Sequence, residues 1–186
     1  MFVLKNFFLI FLLAMGMATH ASAAMAHEKD CAALLTVTGN VTNPNRGGYD
    51  PEIDKFFGYT EVEFDTAYAF TCHALNSLPA ATVKADFPKG RMVHTYEGVL
   101  LADLLAAAGA TGKTVTVQAL DGYAVEAPLD EMIAMGAVVA LSRNGESLGI
   151  GDFGPTQIVF PRAERDDLKD MSDDLWVWSI FHIRVE

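Results

Sequence analysis

His94-Thr95-Tyr96-Glu97-Gly98-Val99-Leu100-Leu101-Ala102-Asp103-Leu104-Leu105, with Ala108-Gly109-Ala110 close behind, is the stretch on which the reading of this chain turns. Leu100, Leu101, Leu104, Leu105 and Ala108 recur at i, i+3, i+4 spacing. That period predicts a helix over residues 99–108 with one apolar face. Gly109 stands where a helix commonly ends on a left-handed residue.

Downstream, residues 114–120 alternate strictly, as a half-buried strand does. Asp121-Gly122 is a two-residue hairpin signal, and residues 123–127 form the returning strand. Pro128 opens a short helix over 129–135. A strand at 138–141 leads to a second hairpin signal, Asn144-Gly145, and a strand at 156–160 ends at Pro161. Residues 163–174 are so densely charged that they read as a solvated surface loop. Residues 175–185 read as a long final strand, with Trp176 and Trp178 on one face. Upstream, residues 81–87 read as a strand followed by the basic loop Lys89-Gly90-Arg91. A helix is expected from a cap at Asp65 or Thr66 to Ser77, after a short strand ending near Val62 and Phe64. Residues 34–38 form the first strand, and the Asn-, Gly- and Pro-rich residues 39–50 form a loop. Strands and short helices interspersed in this way predict an α+β fold: a mixed β-sheet with short packed helices. A doubly wound parallel sheet would need regular βαβ crossovers, which this order lacks.

The first 23 residues read as a cleavable signal peptide. Lys5 supplies the positive start, residues 7–17 the apolar run, and Ala21-Ser22-Ala23 a small-x-small cleavage site, with Ala24-Met25-Ala26 as a second candidate. The run is shorter than the roughly 20 residues a membrane span needs. The expected mature body, residues 27–186, is one domain exported to the periplasm or secreted, and not transmembrane after cleavage. The chain carries a net charge of −11, and removing Lys5 with the leader takes it to −12. A body this acidic repels phosphate backbones and anionic lipid, so nucleic acid is not an expected partner.

Cys31 and Cys72 are the only two cysteines. In an oxidising compartment they permit one disulfide, while a buried thiol or a thiolate ligand stays open for Cys72. His73 directly follows Cys72, but neighbours on a helix point about 100° apart, which is poor chelation geometry. Gly149-Ile150-Gly151-Asp152-Phe153-Gly154 matches GxGxxG, yet Pro155 and a strand follow where a dinucleotide site needs a helix. The sequence contains no His-based metal motif, nucleophile elbow or phosphate loop.

The segment 94–110, followed by Val115-Thr116-Val117, Leu120-Asp121-Gly122-Tyr123, Ala127-Pro128-Leu129, Val139-Ala140-Leu141, Asn144-Gly145-Glu146-Ser147-Leu148, Gly154-Pro155, Val159-Phe160-Pro161, Trp176-Val177-Trp178 and Ile183-Arg184-Val185, resembles the oxidoreductase molybdopterin-binding domain of the sulfite-oxidase type. It is most similar to the short, exported, stand-alone members. The resemblance covers roughly residues 34–185. It implies a mixed α+β fold whose cleft holds a mononuclear molybdenum pterin. In the active members a cysteine thiolate, between the strand like 81–87 and the motif like Tyr96-Glu97-Gly98-Val99, ligates the metal. Here that segment is Pro88-Lys89-Gly90-Arg91-Met92-Val93-His94, and it has no cysteine. Lysine or proline cannot replace a soft thiolate. No metal ligands are therefore assigned.

An anionic pterin phosphate would need cations and donors around the cleft. The resemblance places Lys89, Arg91 and His94 in the site loop, Arg162 after the Gly-Pro strand, Arg143 beside the Asn144-Gly145 turn, and Tyr123 as a donor or stacking ring. Two readings stay open. One is an exported oxidoreductase using a molybdopterin-type cofactor on a small substrate. The other is a metal-free binding or accessory module that reuses the cleft for a small ligand or for the exported domain of a membrane protein.

Overall fold

A computed structural model describes residues 31–186. Residues 1–23, read above as a signal peptide, lie outside the described residues. In chain order the elements are β1 (Ala33–Gly39), α1 (Lys55–Tyr59), β2 (Tyr68–Thr71), α2 (Cys72–Asn76), β3 (Ala80–Ala85), β4 (His94–Leu100), α3 (Leu101–Ala108), β5 (Thr114–Ala119) and β6 (Ala124–Pro128). They continue with α4 (Leu129–Ala134), β7 (Val138–Arg143), β8 (Glu146–Ser147), β9 (Gln157–Val159), a 3-10 turn at Asp166–Leu168, and β10 (Ile180–Val185). The strands form two five-stranded sheets. The first runs β2-β1-β10-β5-β6, with β1 and β10 parallel and the other pairs antiparallel. The second runs β3-β4-β7-β8, with β9 paired to β7, and is wholly antiparallel. The α+β class with mixed sheets and short helices is as the sequence implies.

One continuous core draws on both sheets, from Leu35, Val37 and Ile183 to Val139, Ile158 and Phe160. The strand β5 shows why local alternation suffices for some elements. Val115, Val117 and Ala119 face inward while Thr114, Thr116 and Gln118 are less buried. The Asn144-Gly145 turn takes left-handed φ angles of 54° and 82°, as a two-residue hairpin requires. Helix α3 buries Leu101, Leu104, Leu105 and Ala108, and Gly109 closes it at φ 61°. Each buried leucine contributes roughly 1.5–3 kcal/mol.

Three segments differ from the sequence reading. The helix expected over 99–108 starts at Leu101, because Val99 and Leu100 pair with Val139 and Val138 of β7 and complete β4. Gly98 sits at the bulge in that pairing, where a Cβ would lie 2.0 Å from the Val139 carbonyl oxygen. Residues 62–64 form no strand. Nor does a helix begin at residue 65 or 66. Tyr68–Thr71 is instead a strand, with Tyr68 opposite Val37 and Phe70 opposite Leu35. Only the last turn is helical, capped by Thr71 Oγ1 accepting from the Ala74 N–H. Long-range pairing with β1 overrides the local period here. The final strand starts at Ile180 because Ser179 adopts φ 53° and breaks the extended run. Trp176 and Trp178 therefore lie outside it, with Trp176 buried and Trp178 41% exposed.

No helix among the described residues is long and apolar enough to cross a membrane.

Candidate ligand cleft and its buried hub

The site grows from the end of β3. Asp86 and Phe87 leave the strand, residues 88–93 loop out, and the chain returns as β4 at His94. Behind this loop lies Arg162, only 4% exposed. Its Nε donates to Asp86 Oδ1 at 2.7 Å and its Nη2 to the Asp86 carbonyl at 2.8 Å. Its Nη1 donates to Asp173 Oδ1 at 2.7 Å and to the Met171 carbonyl at 3.0 Å. The guanidinium also lies over the Trp176 ring, 4.4 Å from its centroid. Phe87 stacks on Trp176 with centroids 5.4 Å apart and an interplanar angle of 6°.

The two carboxylates hold the loop as well as the arginine. Asp86 Oδ2 accepts the Gly90 N–H and Asp173 Oδ2 accepts the Lys89 N–H, each at 2.8 Å. Burial works to raise the Asp86 pKa, but the hydrogen bonds from Arg162 and Gly90 and the charge of Arg162 hold it below the ordinary value.

On the outer side of this hub opens a cleft of about 410 Å³. Phe87, Pro88, Trp176 and Trp178 form its aromatic and apolar wall, and Asp121, Tyr123, Asp173 and Asp174 its polar side. Tyr123 is 52% exposed. It is fixed at both ends, its N–H on Asp121 Oδ1 at 2.9 Å and its hydroxyl on the Asp174 carbonyl at 3.2 Å. The Asp121-Gly122 turn of the β5–β6 hairpin thus aims both Asp121 and Tyr123 at the cleft. A second, polar hollow of about 570 Å³ is lined by residues such as Tyr49, Glu63, Asp65 and Arg184, and it shares no residue with the first.

Of the six residues singled out from sequence, Tyr123 alone lines the cleft. Lys89 and Arg91 are exposed on the loop, whose base their backbone helps to close through Asp173 and Pro88. Arg162 stands directly behind the wall with four of its five N–H donors already used by the fold. Arg143 lies over the Phe153 ring at 5.1 Å, and His94 bonds Asn144 at 2.8 Å. Both lie at the end of the antiparallel β4–β7 pair, beside the β7–β8 hairpin, and do not line the cleft. Sequence reasoning missed Phe87, Asp121, Asp173 and Asp174 and took the tryptophans for a core strand. The run 163–174 is mostly exposed, as expected, but Asp173 turns inward to Arg162.

Cys31 and Cys72 are joined as a disulfide with Cα atoms 5.9 Å apart. Both of the chain's sulfhydryl groups are consumed there, beside β2 and α2, and none stands in the loop 88–93. Among the described residues no group of three His, Cys, Asp or Glu side chains is arranged to hold a metal ion. In a sulfite-oxidase-type site a protein thiolate ligates the molybdenum, and the anionic pterin phosphate needs cationic or neutral donors. The cleft offers three carboxylates and no Lys, Arg or His side chain. The residues present do not fit that group.

Comparison with known proteins bears on the same region. No curated protein sequence matches the chain significantly. Among solved structures, the fold is similar to the sulfane dehydrogenase SoxCD from Paracoccus pantotrophus. The TM-score is 0.56 at 19% identity, over 82% of this chain and 38% of that one. This chain therefore spans well under half the length of that protein, and the likeness is one of fold. The family model described as the oxidoreductase molybdopterin binding domain matches residues 34–164, from β1 through both sheets to the arginine hub. This chain belongs to the oxidoreductase molybdopterin binding domain family.

Proposed function

We propose that this protein is an exported binding module that keeps the family's fold and cleft and works without molybdenum. The observation that carries this reading is the use of both cysteines in the Cys31–Cys72 disulfide, which leaves no thiolate for a metal in the cleft. The charge of the cleft supports it. Asp121, Asp173 and Asp174 line a site where an anionic pterin phosphate would need cations. Export is supported by the leader-like residues 1–23 and by the disulfide, which persists in oxidising compartments. A cleft of this size lies in the range of small-molecule sites, so a small ligand is its natural occupant.

The reading is tested by producing the protein in cells able and unable to make molybdopterin. The expected result is the same melting temperature from both sources and no molybdenum in either preparation. A preparation from the proficient cells that melts several degrees higher and carries molybdenum overturns it.

A further inference from the structure

The cleft has a composition that selects among small ligands. Trp178 and Tyr123 expose 41% and 52% of their surface there. Tyr123 is held by two acidic residues, its backbone N–H on the Asp121 carboxylate and its ring hydroxyl on the Asp174 backbone carbonyl. The remaining contacts of those carboxylates are with neutral groups: Asp121 Oδ1 accepts the Tyr123 N–H and Asp174 Oδ2 the Ser172 hydroxyl. Neither forms an ion pair among the described residues. Asp173, the third carboxylate, shares its single arginine with Asp86. The walls thus carry more negative charge than the hub neutralises. Trp176 closes the wall behind these residues at 2% exposure.

We propose that the cleft binds an organic ammonium ion. This rests on reading the cleft as a metal-free binding site. The ammonium sits against the faces of Trp178 and Tyr123, where the ring quadrupoles attract it, and Asp121 and Asp174 supply the counter-charge. A phosphate or other anion meets three carboxylates. A neutral sugar can stack on the same rings but leaves the charge on the wall unanswered.

The chain has only two tryptophans and both line the cleft, so intrinsic fluorescence reports directly on occupancy. Choline is the probe and 3,3-dimethylbutan-1-ol its uncharged isostere, each titrated into the disulfide-intact protein at low salt. The expected result is saturable quenching by choline, with affinity at least about tenfold above that of the isostere. Trp178→Ala should weaken choline by about tenfold or more, and the double variant Asp121→Asn/Asp174→Asn should do so with unchanged melting temperature. Asn keeps the acceptor that Tyr123 uses, so the double variant removes charge and not the turn. Equal binding of the isostere, preference for a neutral sugar such as glucose, or no saturation up to about 50 mM choline overturns the proposal. If choline fails in protein that also lacks molybdenum, the ammonium assignment alone falls. If the protein carries molybdenum, both readings fall.

Discussion

The hub around Arg162 and the cleft in front of it share Asp173 and Trp176, and they treat charge in opposite ways. In the hub one guanidinium, 4% exposed, spends its donors on two carboxylates and two carbonyls. In the cleft Asp121 and Asp174 face open volume without a cation. The comparison teaches that a cation beside a cofactor-type cleft is not thereby available to a ligand. Its donors have to be counted first. Arg162 holds up the wall, and the charge presented to a ligand is negative. His182 extends the lesson. It is buried among neutral partners, Thr38 at 2.7 Å and Gln118 at 3.2 Å, with the positive Arg184 near. With the proton on Nδ1, the ring donates to Gln118 and accepts from the Thr38 hydroxyl. Burial and then Arg184 press its pKa down from 6.5 to about 4, so it stays neutral above that.

The largest expected effect lies outside both regions and shows whether they stand independently of the sulfur chemistry. The disulfide closes a separation of 41 residues, so Cys31→Ser/Cys72→Ser should lower unfolding free energy by about 4 kcal/mol in urea titrations. Below the transition, tryptophan emission should be unchanged, because neither cysteine lines the cleft. Altered emission of the folded variant would tie the two regions together.

Next is the hub itself. Arg162→Met leaves Asp86 and Asp173 without their cation and should cost about 3 kcal/mol, near the low end for a broken buried pair. The low end applies because those carboxylate side chains keep 22% and 32% of their surface exposed. A loss below about 1 kcal/mol would place Arg162 among ordinary surface ion pairs.

Acid should separate the buried groups in order. The folded state holds His182 neutral below its unfolded pKa, so the unfolded chain binds the extra proton. Stability should then fall as pH drops from 6.5 to about 4, by on the order of 3 kcal/mol in all. Asp86 has a lowered folded pKa, so its contribution is present above 3.8 and is lost only as pH falls further, through that lowered value. His182→Gln should flatten the first window and leave the second. Equal slopes in both proteins would contradict the assignment.

The smallest effect is the sharpest contrast. Asp121→Asn and Asp174→Asn should each change stability by less than about 0.5 kcal/mol, since neither carboxylate answers a buried charge. A loss comparable to that of Arg162→Met would mean the cleft wall is part of the hub.

What could be read from the sequence followed the range of the interactions. The β5–β6 hairpin was legible because alternation and the Asp121-Gly122 turn are local, and so was the Asn144-Gly145 turn. Tyr68–Thr71 was read as helix because its pairing with β1 is long-range. The last strand was read too long because nothing local announces the φ of 53° at Ser179. The site divides in the same way. Tyr123 follows from its turn. Arg162 was recognisable as a cation near the cleft, but its partners lie 76 and 11 residues away in sequence. Only the fold shows that they consume it. The missing thiolate was legible, since no cysteine occurs in residues 88–93.

The claim beneath all of this is that both sulfurs are spent on each other and that the cleft carries no molybdenum pterin. Native mass spectrometry of the protein, purified from its own cells without reductant, tests it most directly. The account predicts the polypeptide mass less two hydrogens, with no molybdenum isotope pattern. A near-stoichiometric molybdopterin adduct on the folded protein would contradict it.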